Sequence, residues 1–236
     1  MGPTKILPRW SRRLARRYLL DRGFRRVFER SRISKVWIDV GAHLGETTLS
    51  SAMNDDTLLV FAFEPNWELA RQIMARAANF VVLPMAVSDV DGLSELLVNA
   101  CDGSSSLQRM REPGLTHWKE LDLTVRKKVT VQTVRLDTFM TLADVSGVDY
   151  LKIDAEGLDL RVVQSAGKRL RDIKTIKLEV DVAADRLYED APGHDEVVQF
   201  MTENGFRLTC SELQNADRQE NLTFESVGIE QRNAPR

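Results

Sequence analysis

The spacing of apolar residues changes character near residue 36. From Lys5 to Lys35, Trp10, Leu14, Tyr18, Phe24, Val27 and Phe28 recur at helical intervals among arginines, which predicts a basic amphipathic arm broken near Gly23. Beyond it, short β-rich runs alternate with helical stretches, the order expected of βαβ units around a mostly parallel sheet. Strands are predicted at Val36–Val40, Leu58–Phe63, Phe80–Val87, Tyr150–Asp154 and Thr175–Val182. Helices are predicted at Thr47–Met53, at Trp67–Ala78 with Asn66 as N-cap, at Leu158–Leu170 and at Glu196–Glu203, the last stopped by Asn204-Gly205. Phe206–Cys210 and Leu222–Ile229 are expected to form a hairpin. Two further alternating runs, Leu93–Val98 and Val129–Leu136, read as antiparallel additions to the main sheet. The polar stretch Cys101–Lys128 between them has the length of a lid or binding loop. The expected class is α/β: a doubly wound, Rossmann-like sheet with an antiparallel C-terminal edge and a β-rich insertion. Its division is an arm over residues 1–35 and one domain over residues 36–236.

Composition adds little to this picture, and charge adds more. A chain of 236 residues, 43% hydrophobic and 29% charged, suits one globular domain. Cys101 and Cys210 have no CxxC spacing, and neither a signal-peptide core nor an apolar run of roughly 18–20 residues is present, so a reducing, cytoplasmic setting is expected. The net charge of -2 conceals an arm at +10 and a remainder at -12. One arginine-rich helix beside an acidic body is not an extended basic surface, so nucleic acid is not an expected partner. The arm's options are docking on its own domain, capping a substrate site, or peripheral contact with an anionic membrane. A homodimer is left open.

The segment Asp39-Val40-Gly41-Ala42-His43-Leu44-Gly45-Glu46-Thr47 joins a strand to a helix, where doubly wound folds bind nucleotide-like ligands. His43 and Glu46 stand where a dinucleotide fingerprint requires its second and third glycines, which disfavours NAD. Asp39 and Glu46 would repel a phosphate but suit a ligand with an ammonium and a sulfonium, as in S-adenosylmethionine. Glu64, in Glu64-Pro65-Asn66 at the end of the next strand and 19 residues after Gly45, is placed to accept from both hydroxyls of a ribose. The third strand ends Ala86-Val87-Ser88-Asp89, where a backbone amide, Ser88 or Asp89 would read an adenine edge.

The later strands end in acids too, Lys152-Ile153-Asp154-Ala155-Glu156-Gly157 and Glu179-Val180-Asp181. In-line methyl transfer asks the protein to align the acceptor and take its proton, work suited to carboxylates or a histidine at the crevice. Asp154 ends an apolar strand and is the favoured base. Glu156 and Asp181 also read as charges at helix N-termini. A divalent ion between Asp154 and Asp181 is the weaker reading, since no histidine reinforces the pair, and no metal is expected. His43 lies on the cofactor turn and is a candidate to approach substrate, whereas His117 and His194 fall on predicted loops, where solvation and catalysis are equally expected.

The combination DVGAHLGETT, FEPN, SSSL, RLDTF and LKIDAEG, spread over roughly residues 36–210, resembles the FkbM-type methyltransferases. The resemblance implies a class I methyltransferase fold, S-adenosylmethionine as cofactor, and methylation of a hydroxyl on a sugar, polyketide or other natural product. By position, Asp39, Gly41 and Gly45 match the family's cofactor turn, Glu64 its ribose acid, and Asp154, Glu156 and Gly157 its KIDxEG motif. Taken with the reading of the residues, cofactor contacts are expected at Asp39, Gly41, Ala42, Gly45, Thr47, Glu64, Pro65, Ala86, Val87, Ser88 and Asp154, and catalytic roles for Asp154, Glu156 and His43. The chain departs from the family pattern at Asp159, where Glu is usual, and at Ser165, where glycine is usual. The acceptor is a small molecule or glycan. The rival classes are a cofactor-binding regulatory protein without catalysis and a nicotinamide-dependent oxidoreductase.

Overall fold

The computed structural model describes residues 32–111, 118, 120–182, 186–215 and 218–228, so the predicted basic arm, apart from residues 32–35, lies outside the described residues, as does His117. Strands β1 (Lys35–Val40) and β2 (Leu58–Phe63) form the middle of the molecule. The run LLVFAF of β2 is buried at nearly every position, the pattern of a strand covered on both faces. Helix α1 (Leu49–Asn54) crosses over between them, and α2 (Trp67–Ile73) leads on to β3 (Phe80–Leu83), which pairs parallel to β2. The Asn66 side chain accepts from the Glu68 N–H, as expected of its N-cap. The helix stops at Ile73 rather than Ala78 because Met74 turns extended and Ala75 takes a left-handed φ of 60°.

The predicted strand Phe80–Val87 is two strands. Pro84 cannot donate to a ladder, and past it β4 (Ala86–Val87) leaves the main sheet to pair with β6 (Val125–Val134). β6 also runs antiparallel to β5 (Gly92–Asn99), so the two insertion strands do not add to the main sheet; they build a separate three-stranded sheet, β4-β6-β5. Ala86, Leu96, Val98 and Val131 give it a small core of its own. Leu136, read as the end of a strand, begins helix α3 (Leu136–Leu142), which buries Leu136, Phe139 and Met140 at helical spacing.

The main sheet continues with β7 (Val148–Ile153), parallel to β1, and β8 (Ile173–Asp181), parallel to β7. The helix expected over Leu158–Leu170 is divided into α4 (Asp159–Gln164) and a 3-10 segment, Gly167–Asp172. Ser165, at this break, is fully buried; its hydroxyl donates to Val162 O and accepts from Leu136 N, tying α3 to α4. After α5 (His194–Glu203), the predicted hairpin is present, with β9 (Phe206–Gln214) longer than expected and β10 (Gln219–Ser226) starting and ending earlier than expected, and β10 pairs antiparallel to β8.

The seven-stranded order is therefore β3-β2-β1-β7-β8-β10-β9, with the antiparallel edge foreseen. Strand order reverses between β1 and β7, and a crevice opens there at the carboxyl ends of the strands. Among the described residues no helix is long and apolar enough to cross a membrane.

Gly41 makes the β1–β7 junction possible. Its φ is +70°, and a Cβ there would lie 1.9 Å from the carbonyl oxygen of Asp154, a backbone atom that cannot step aside. Gly41→Ala is therefore expected to cost about 3 kcal/mol or more, combining a disfavoured backbone angle with overpacking. Urea denaturation checks this, and a midpoint equal to that of the wild type would contradict the contact.

Candidate active site

A cavity of about 300 Å³ occupies the crevice, within the size range of small-molecule sites. Of the residues singled out in the sequence, Gly41, His43, Glu46, Thr47, Glu64, Pro65, Ala86, Val87, Asp154 and Glu156 line it. Asp39, Ala42, Gly45 and Ser88 are not on its wall. Ser88 is held by the small sheet, its N–H donating to Val134 O and its hydroxyl to Asp89. Gly45 closes the turn with an N–H donated to Ala42 O. Asp39 is buried: one carboxylate oxygen accepts from Thr48 Oγ1, and the other has the Lys152 ammonium at 3.3 Å. Burial raises the Asp39 carboxyl above its ordinary value, against the opposing pull of Lys152 and Thr48. Sequence gave Asp39 to a ligand's ammonium, whereas the nearest cation is the chain's own lysine.

Glu64 ends β2 with its carboxylate almost fully buried and fixed by two backbone donors, Asn66 N–H to Oε1 and His43 N–H to Oε2, each at 2.8 Å. Burial raises it to about 7, and these two donors only partly offset the cost. An acid so poorly compensated at a cavity wall fits a ligand that brings further hydroxyl donors, such as a vicinal diol.

His43 has a left-handed φ of 48° and lines the cavity, but both ring nitrogens are engaged. Nδ1 lies 2.8 Å from Glu46 Oε1 and Nε2 3.1 Å from Asp102 Oδ1, on the 3-10 turn Asp102–Ser104 of the insertion. Burial disfavours the charged ring, but hydrogen bonds and attraction from both acids outweigh it and raise the imidazole above 6.5. With both nitrogens facing acids, the ring bridges two elements, and neither nitrogen is turned free toward the cavity. His194 is at the start of α5, paired with Glu220.

At the end of β7, Lys152 donates to Gly41 O at 2.8 Å and forms ion pairs with Asp39 Oδ1 and Asp154 Oδ2, each at 3.3 Å. Burial works against its charge, and the two aspartates more than reverse this. Asp154 remains 43% exposed toward the cavity side of this pair. Oxygens of Asp154, Glu156 and Glu179 lie within 4.8 Å of one another, so Glu179 replaces Asp181 as the neighbour of Asp154. Asp181 instead accepts from Leu187 N–H. Burial and then Asp154 raise Asp159 to about 7 and Glu179 to about 8. The Asp159 carboxylate accepts from Ala155 and Glu179 N–H groups, which makes this departure from the family pattern a strand-end brace.

Sequence reasoning missed Tyr188. The ring is buried against Gly157, where a Cβ would approach the tyrosine Cβ to 2.6 Å, and its hydroxyl contacts Glu156. No spacing marks it; only a lone aromatic in a charged loop could have drawn notice. The SSSL run reaches the same place, since Ser106 Oγ donates to Glu156 O at 2.7 Å.

The model of the methyltransferase FkbM domain matches residues 39–208. The chain belongs to the FkbM methyltransferase family. Among solved structures, this FkbM chain is similar to magnesium protoporphyrin IX methyltransferase from Synechocystis PCC 6803 with SAM bound, at 10% identity over 96% of this chain and 86% of that one, with a TM-score of 0.42. It is also similar to precorrin-6y C5,15-methyltransferase from Geobacter metallireducens GS-15, at 13% identity over 83% of each chain and a TM-score of 0.42. No curated protein matches the chain. The strand order and the family together make the fold that of a class I methyltransferase.

The His43 bridge gives a signed pH dependence. Its pKa is raised in the folded state, so its contribution is complete below the ordinary value of 6.5 and is lost as pH rises through the folded value. Wild type should exceed His43→Gln in stability by up to about 1 kcal/mol in mild acid, with the gap closing above neutrality. Denaturation midpoints of both proteins across that range test it, and a gap that widens with pH would exclude the bridge.

Proposed function

We propose that the chain is an S-adenosylmethionine-dependent O-methyltransferase acting on a hydroxyl of a sugar, polyketide or other natural product. The observation that carries this reading is one cavity with a donor-hungry carboxylate, Glu64, at the end of β2 and a part-exposed carboxylate, Asp154, at the end of β7. Glu64 is suited to the ribose diol, and Gly41, Thr47, Pro65, Ala86 and Val87 to the rest of the cofactor. Bound S-adenosylmethionine supplies an electrophilic methyl group on a sulfonium.

Asp154 is positioned to take the acceptor's proton as the oxygen–methyl bond forms and the sulfur–methyl bond breaks. Lys152 holds that carboxylate in place through an ion pair at 3.3 Å. Glu156, beside it, orients the acceptor oxygen. A regulatory protein that binds the cofactor without transferring its methyl group would leave Asp154 without a task.

Calorimetry is expected to give a low-micromolar or tighter Kd for S-adenosylmethionine, about -8 kcal/mol. Glu64→Ala should weaken it by roughly 1–3 kcal/mol. Ribose donors favour the charged carboxylate, so affinity should rise with pH through about 7 and binding should release a proton. A pH-independent affinity that Glu64→Ala leaves unchanged would remove the ribose assignment.

For the chemistry, Asp154→Asn should keep cofactor binding while turnover falls on the order of 10²–10⁴. Mass spectrometry of host glycans and metabolites, with and without the protein, supplies the acceptor through its gain of one methyl group. Full turnover in the Asn variant would take Asp154 out of the mechanism, and tight binding with no methylated product would favour the regulatory reading.

A further inference from the structure

The wall of the cavity carries an imbalance of charge. Five carboxyl groups line it, Glu46, Glu64, Asp102, Asp154 and Glu156, against two basic side chains, His43 and Lys152. Each base stands between two acids, His43 between Glu46 and Asp102 and Lys152 between Asp39 and Asp154. Neither has positive charge left over for a ligand, even with the imidazole protonated. Glu64 and Glu156 are held by neutral partners, two backbone N–H groups for the one and the Tyr188 hydroxyl for the other. The remaining polar side chains on the wall, Thr47, Ser105 and Ser106, are uncharged hydroxyls, and among the described residues no arginine lines the cavity.

We propose that this wall selects the acceptor by charge: the hydroxyl compound that is methylated is neutral or carries an amine, and acceptors bearing a phosphate or carboxylate, nucleotide-activated sugars among them, are turned away. The inference rests on the methyl-transfer reading above and narrows it. Asp102, on the 3-10 turn of the insertion, is the specificity-determining residue it adds.

An anion in the cavity would meet like charge with no cation free to neutralise it, and such repulsion is stronger in a partly buried site than in bulk water. Burial has already raised Glu64 to about 7 and Glu156 above its ordinary range. A phosphate beside them would add to that cost, whereas hydroxyl or ammonium donors relieve it. The cofactor obeys the same rule, since the sulfonium and ammonium of S-adenosylmethionine outnumber its carboxylate. With Glu64 assigned to the ribose, Asp154 and Glu156 are left for the reacting end of the acceptor. Glu46 and Asp102, with side chains 59% and 53% exposed, form the solvent side of the wall, so an anionic group trailing from the acceptor meets acid there as well. Discrimination of this kind works through repulsion of the wrong ligand as much as attraction of the right one.

The test uses the full chain with methyl-labelled S-adenosylmethionine and a host metabolite extract divided on an anion exchanger into retained and unretained fractions. Label is expected in the unretained fraction. Label mainly in the retained fraction would overturn the inference and leave methyl transfer intact, whereas label in neither fraction would remove the methyl-transfer reading and this inference with it. The labelled acceptor is then compared with its own phosphate ester, the same molecule with an anion added. The ester should be methylated about tenfold less efficiently in kcat/KM, or worse. Charge, unlike size, responds to screening, so the gap should narrow several-fold in wild type at high salt and again in Asp102→Asn at low salt. The salt series reads the cause even when the variant fails to fold. An ester methylated as well as its parent, or a gap that salt leaves unchanged, would mean that charge does not select the acceptor and would overturn the proposal.

Discussion

The site depends on one ammonium group. Lys152 sits where β1 and β7, strands far apart in sequence, lie side by side at the reversal of strand order; its ammonium donates to Gly41 O and pairs with Asp39 and Asp154. A largely buried lysine in a sheet would ordinarily be costly, and the two aspartates with the Gly41 carbonyl together offset that cost. The arrangement thus makes the end of β1, the end of β7 and the cavity-facing carboxylate of Asp154 a single unit. Gly41 contributes by having no Cβ, so the two backbones can approach close enough for the lysine to span them.

The remaining acids follow from the commitment of that charge. Four carboxyl groups, Asp154, Glu156, Asp159 and Glu179, converge at the ends of β7 and β8 with one ammonium between them. Like charges so close cannot all ionise cheaply, and three of the four have different partners. Asp154 keeps the lysine, Asp159 accepts two backbone N–H groups, and Glu156 meets a phenol. Glu64 stands apart on β2, where burial without a cation leaves a carboxylate suited to a ligand's hydroxyls.

The insertion supplies the far wall of this site. Its 3-10 turn reaches His43 through Asp102, its serines reach Glu156 and Tyr188, and its small sheet takes β4 and Ser88 out of the main sheet. These contacts join the cofactor turn, the KIDxEG segment and the loop after β8 across long separations in sequence. The wall of the cavity is consequently built from both sheets.

Much of this was legible in the residues alone. The alternation of strands and helices, the antiparallel final hairpin, and the placing of Gly41, Glu64 and Asp154 at strand ends are local matters, fixed by hydrophobic period, turn chemistry and a recognisable motif set. What failed to read locally had non-local causes. The run Phe80–Val87 looks like one strand, and its division at Pro84 depends on β6 being available to pair with Ala86 and Val87. Leu136 fits the end of a strand as well as the start of a helix until Ser165 fixes its N–H. Asp39 and His43 have the chemistry of ligand contacts in sequence, but Lys152, Glu46 and Asp102 occupy them. Tyr188 has no signature whatever. A sequence fixes which groups are present and how far apart they lie along the chain; which of them meet depends on distances of a few ångströms that only the packing of both sheets sets.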